Sequence, residues 1–216
     1  MNDKTRLLAG ILLFGSLWGF SEVIIGSTIA DAGLPSGGLM TGLFVIPILV
    51  LSRMLYRKPG MQLGMGFVAG ALRLFNPFVG CQICSAIAIM AEGALFELIF
   101  YGISSDFREL KNLTMQSSIG IFAAYVIFVG GYIFTQILTP IVAGTGFYLE
   151  NLLATMPKML AAGLIPALIA SITIPLVISV KKLDISIKNT IYYPTTIGIS
   201  ILCWVLVISS WLMFTA

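Results

Sequence analysis

The sequence predicts an all-α fold, a polytopic bundle of transmembrane helices with about seven spans forming one membrane domain over residues 1–216. Three observations carry this. Apolar residues make up 58% of the chain and charged residues only 10%, against roughly 25% charged in soluble domains. The mean hydropathy is +1.03. The apolar residues also fall into stretches close to the roughly 20 residues that a helix needs to cross a hydrocarbon core about 30 Å thick.

The first stretch covers residues 7–26. Lys4 and Arg6 before LLAGILLFGSLWGF resemble the start of a secretory signal, and Ala30-Asp31-Ala32 resembles a cleavage site. The apolar run continues to Gly26, however, beyond the roughly 7–15 residues of a signal core, so an uncleaved first span is expected. Residues 27–37 form a Gly/Pro loop with Asp31 as its one charge. The second stretch, 38–55, is short, which leaves a six-span count open. The third and fourth, 61–80 and 82–103, make an apolar hairpin, and the fifth covers 115–139. Residues 140–157 are amphipathic and suit a short interfacial helix with Phe147 and Tyr148 at headgroup level. The sixth and seventh stretches are 159–180 and 192–214, the last opening on Tyr192 and Tyr193 as interfacial anchors. No internal duplication relates the first three spans to the last three, so an inverted-repeat transporter is not indicated.

Basic residues fix the expected orientation. Lys4, Arg6, Arg53, Arg57, Lys58, Arg108, Lys111, Lys181, Lys182 and Lys188 fall on one side of a seven-span layout and only Lys158 on the other. The side richer in Lys and Arg faces the cytoplasm. The N-terminus is therefore expected inside and the C-terminus outside, in a multi-pass protein of the cell membrane. The net charge of +3 reports this bias. No basic patch interleaved with aromatics points to nucleic acid.

Arg73, Glu92 and Glu97 lie within the hairpin and Glu22 near the end of the first span. A charge at membrane depth marks a functional site when its partner can be named. Residues three, four and seven apart share a helix face. Gly15, Gly19 and Glu22 fall on one such stripe with Trp18 beside it, Gly66, Gly70, Arg73 and Pro77 on another, and Ser85, Ala88 and Glu92 on a third. Small residues at this spacing let helices approach closely in lipid, so the charges face other helices. At about 1.5 Å per residue, Glu22 and Arg73 reach the outer third, Glu92 lies near mid-depth and Glu97 lower. Two readings are open: an ion pair that pins helices together, or a binding site in which Arg73, Glu92, Glu22, Trp18 and Asn76 hold an anionic or polar solute. Glu97 reads as a solvated interfacial side chain or a partner of Arg108.

Cys81 and Cys84 form a C-x-x-C at the outer turn, and Cys203 lies alone in the last span. A disulfide or thiol-exchange centre is one reading, small buried packing residues the other. The chain has no histidine, which removes imidazole haem ligation and most transition-metal sites. Phosphate-binding loops and hydrolase motifs are absent from the sequence, so neither a cofactor nor enzymatic activity is expected.

The cytoplasmic N-terminus, Gly15-x-x-x-Gly19, the Gly-rich LGMGFVAGALRLF and Ala91-Glu92-Gly93 give residues 7–180 a pattern. It resembles the substrate-binding S components of energy-coupling-factor vitamin transporters. The resemblance implies a ligand held near the outer side under the loop after the first span. It also implies contact of Gly15 and Gly19 with a coupling membrane protein that carries ATPases. The chain departs from that family in its seventh span and external C-terminus. It also lacks the N-terminal histidine of metal-carrying members, which speaks against cobalt or nickel. The expected function is small-molecule binding and uptake, with an accessory subunit of a membrane complex and a thiol-redox membrane protein as the alternatives. Single-cysteine probes at Ser36 and Gly146 should label from outside the cell with a membrane-impermeant maleimide, and probes at Lys58 and Lys182 should not. Outside labelling at Lys182 would overturn the seven-span layout.

Overall fold

The computed structural model of the protein describes residues 3–78, 81–102, 107–180 and 189–215. Every regular element among these is helical. Seven helices succeed one another: α1 (Lys4–Asp31), α2 (Ser36–Tyr56), α3 (Met61–Arg73), α4 (Gln82–Gly102), α5 (Leu113–Val142), α6 (Leu149–Ser179) and α7 (Asn189–Thr215). All but α3 are long and apolar enough to cross a membrane, and the chain is an integral membrane protein. The exposed surface agrees. Leu98, Leu168, Ile172 and Met213 are 72, 67, 64 and 80% exposed, the lipid-facing pattern expected where the solvent is hydrocarbon.

Three expectations are corrected by these boundaries. The third helix stops at Arg73 instead of continuing to residue 80, of which 79 and 80 lie outside the described residues. Its 13 residues extend only about 20 Å. The separate interfacial helix expected within 140–157 is the first half of α6, which runs from Leu149 through a turn at Gly163 to Ser179. The loop expected over 27–37 is mostly helical, α1 reaching Asp31 and α2 starting at Ser36. Lys181, Lys182 and Lys188 lie outside the described residues.

The two helices that precede the hairpin in the chain, α1 and α2, each contain a π turn. In α1 it covers Ser21–Ile25, where the Gly26 amide donates to Ser21 instead of Glu22. In α2 it covers Thr41–Val45, and the Ile46 amide donates to Thr41 instead of Gly42. The second has a local cause, since Pro47 has no N–H to give to Leu43. A π turn advances the chain by one residue and releases a carbonyl from the ladder.

Glycines set the helix spacing. A Cβ on Gly15 would lie 2.7 Å from Val68, and one on Gly19 2.8 Å from Leu72. On the opposite face of α3, a Cβ on Gly93 would lie 2.6 Å from the Gln62 carbonyl. Thus α3 is sandwiched between α1 and α4 at backbone contact. Trp18, Met61, Met65, Phe96, Ile127 and Ile174 are fully buried in the core that results. The helix α7 sits at the edge against α1, held by the Trp204 indole donating to Ser16 Oγ at 3.2 Å and by Arg6 stacked 5.6 Å over Tyr192. Tyr192 also hydrogen-bonds the Tyr56 hydroxyl, a more specific role than headgroup anchoring.

Glu97 also has a specific structural role. Its carboxylate accepts the Gly60 amide and, at 2.8 Å, the Leu63 amide. It therefore caps the amino end of α3, where free N–H groups and the helix dipole both favour a negative charge. Gly60 can close the preceding turn because its φ is +85°. Replacing Gly93 with Ala should lower stability by about 1–3 kcal/mol through overpacking against backbone. Gly198→Ala, with nothing within 4 Å of its Cβ, should be neutral or stabilising. Thermal unfolding of both variants in one detergent checks the contrast.

Candidate functional site

A cavity of about 320 Å³ opens at the end of the bundle away from the N-terminus. It is at the small end of the 300–1,000 Å³ usual for ligand sites. Glu22 comes to it from the π turn of α1, Thr41 from the π turn of α2, and Arg73 from the last residue of α3. The α4 wall is the stripe Ser85, Ala88 and Glu92, and α5 supplies Phe128, Tyr132 and Thr135. Ser36 and Gly37 line it from the start of α2.

Arg73 and Glu22 meet, but through the main chain. The guanidinium Nη1 donates to the Glu22 carbonyl, the group whose ordinary donor, the Gly26 amide, is committed to Ser21. The other π turn is completed the same way. The Gly42 carbonyl accepts the Thr173 hydroxyl from α6 at 3.0 Å. Arg73 Nε is buried without a partner, so the guanidinium keeps donor capacity beside the cavity.

Glu92 is only 7% exposed. One of its oxygens accepts the Thr41 hydroxyl at 3.3 Å, and among the described residues this is the one hydrogen bond to the carboxylate. Gly131 lets α5 pass against it, since a Cβ there would lie 3.0 Å from Glu92 Cγ. Phe128 and Tyr132, four apart on α5, face each other with ring centroids 4.9 Å apart.

Of the residues expected to bind ligand, Arg73, Glu92 and Glu22 are brought together on the cavity, whereas Trp18 and Asn76 are not. Trp18 is fully buried in the core. Its indole N–H neighbours the Glu22 carboxylate without closing a bond of good geometry. Asn76 is buried as the clasp of the α3–α4 turn, accepting the Phe78 amide at 2.8 Å and the Gln82 side chain at 2.8 Å. The faces of Gly15 and Gly19, expected to meet a partner protein, are filled by the chain's own α3. The sequence reading missed Thr41, Phe128, Tyr132 and Thr135. A lone hydroxyl inside an apolar stretch and the 128–132–135 spacing on one helix face were the available signals.

Cys81 and Cys84 are joined by a disulfide on the cavity rim, with Cα atoms 5.3 Å apart. Cys81 is exposed, which corrects the reading of the pair as buried packing residues. Among the described residues no cluster of His, Cys, Asp and Glu could hold a metal ion.

Comparisons with family models, with curated proteins and with solved structures give no match. The functional reading therefore rests on the cavity. Hydrogen bonds involving a charged group contribute about 1.5–3 kcal/mol. Arg73→Met should lower stability by that order, since it also leaves the Glu22 carbonyl without a donor. Adding Glu22→Gln should recover part of the loss by removing the carboxylate left facing no cation. Thermal unfolding of the two singles and the double reads the coupling, and a double no better than Arg73→Met would assign the whole effect to the carbonyl.

Proposed function

We propose that the protein is a membrane-embedded component that captures a small molecule and takes part in its uptake, working with a separate coupling protein and ATPases. The observation that carries this reading is the cavity, in which two carboxylates and a guanidinium converge within an apolar bundle. Charged groups are expensive at this depth, and helix pinning alone would not require an open space between them. The bias of basic residues towards the opposite end of the bundle turns the cavity mouth outward. The chain has no phosphate-binding loop, so energy for transport would come from a partner, as the resemblance to S components implies. Since Gly15 and Gly19 are occupied by α3, such a partner would meet another face.

Native mass spectrometry of the protein purified in mild detergent should find a retained small molecule. Arg73→Ala and Glu92→Ala should each lose it while remaining folded, and uptake in cells should fall in the same variants. Retention and uptake unchanged in both would leave the accessory-subunit reading in its place.

A further inference from the structure

Resting on that reading, the chemistry of the cavity narrows the class of ligand. Its charged lining is two carboxylates, Glu22 and Glu92, against one guanidinium, Arg73. Arg73 sits with Glu22, to whose main chain it is bonded. Among the described residues, Glu92 is left with a hydroxyl as its single donor, although it is more than nine-tenths buried. A buried carboxylate is stable only when paired or fully hydrogen-bonded. Glu97, in the same helix, illustrates the satisfied case, with two main-chain amides. Glu92 lacks the equivalent and borders open space. What is missing beside it is a cation with N–H donors. The α5 wall adds the paired rings of Phe128 and Tyr132, and aromatic faces attract ammonium groups.

We infer that the ligand is a small organic molecule carrying a protonated amine, which seats against Glu92 beside Phe128 and Tyr132. An apolar body fits the Ala88 and Ile89 wall. Any acceptor group of the ligand turns to Arg73. Anion-only solutes are disfavoured, because they would bring a third negative charge to a site with one cation.

The test uses full-length protein in lipid nanodiscs and measures thermal stabilisation and Kd for matched probes. Isopentylamine, phenethylamine and tryptamine present the amine on bodies of increasing size, each compared with its N-acetyl derivative and with a carboxylate of the same skeleton. At least one amine should bind, with N-acetylation weakening it tenfold or more. Glu92→Gln, which still accepts from Thr41, should weaken it to the same degree, and Glu92→Asp should keep the preference for amine over N-acetyl amide. Binding of the carboxylates or N-acetyl compounds in preference to the amines, or amine binding unaffected by Glu92→Gln, would overturn the inference while leaving the uptake reading standing. Failure of all the probes would overturn the inference, and the uptake reading falls with it only if the purified protein also retains no small molecule.

Discussion

In hydrocarbon, a carbonyl released from its helix finds no bulk water, so a break in a helical ladder is stable only where another group re-satisfies it. The bond from Arg73 to the Glu22 carbonyl is the most consequential instance here. It fixes the outer end of α3 to the π turn of α1 and holds a cation at the cavity wall. Thr173 does the neutral equivalent for Gly42 in α2. Both π turns therefore depend on donors far away in sequence, and both present a side chain, Glu22 or Thr41, to the same space. Such turns recur at functional sites because they re-aim side chains that a regular helix would turn elsewhere.

Three acidic residues in the first four helices solve the same desolvation problem in different ways. Glu97 lies five residues inside the end of α4, about 7.5 Å along the helix, level with the recessed start of α3. There it replaces water for the free amides. Glu22 lies against Arg73 and Trp18. Glu92 is the exception, because among the described residues its environment provides one hydroxyl and an opening. An apolar residue of similar size would pack there at lower cost, so the carboxylate is better explained by what enters the cavity than by what surrounds it.

The helical class, the hairpin and the convergence of Arg73, Glu22 and Glu92 were legible because composition, spacing and rise per residue determine them. The Ser85, Ala88 and Glu92 stripe was legible for the same reason, as α4 is regular throughout. Expectations failed where the helix is not regular or where a contact is long-range. The Gly15, Gly19 and Glu22 face does meet α3 throughout, but the π turn at Ser21–Ile25 and the main-chain route of the Arg73 contact had no signal in the spacing. A stripe shows that a face is packed, and only the tertiary structure shows by which neighbour. The capping role of Glu97 was not legible because the groups it caps are backbone amides, which carry no signal in residue type. Asn76 had the polarity of a ligand contact, yet its hydrogen bonds close a turn and tie that turn to Ser27 of α1.

Two of the polar bonds that border the cavity involve its charged residues and tie different helices together. Arg73 joins α3 to α1, and Thr41 joins α2 to Glu92 on α4. The first lies within a sandwich closed by backbone contact at Gly15, Gly19 and Gly93, which has no slack to give. The second spans 3.3 Å between side chains, and an incoming donor at Glu92 would compete with it directly. Ligand binding would therefore be felt first at the start of α2, next to the turn that separates it from α1. On the proposed uptake reading, that segment, and not the glycine face of α1, would be the element best placed to report an occupied site to another protein.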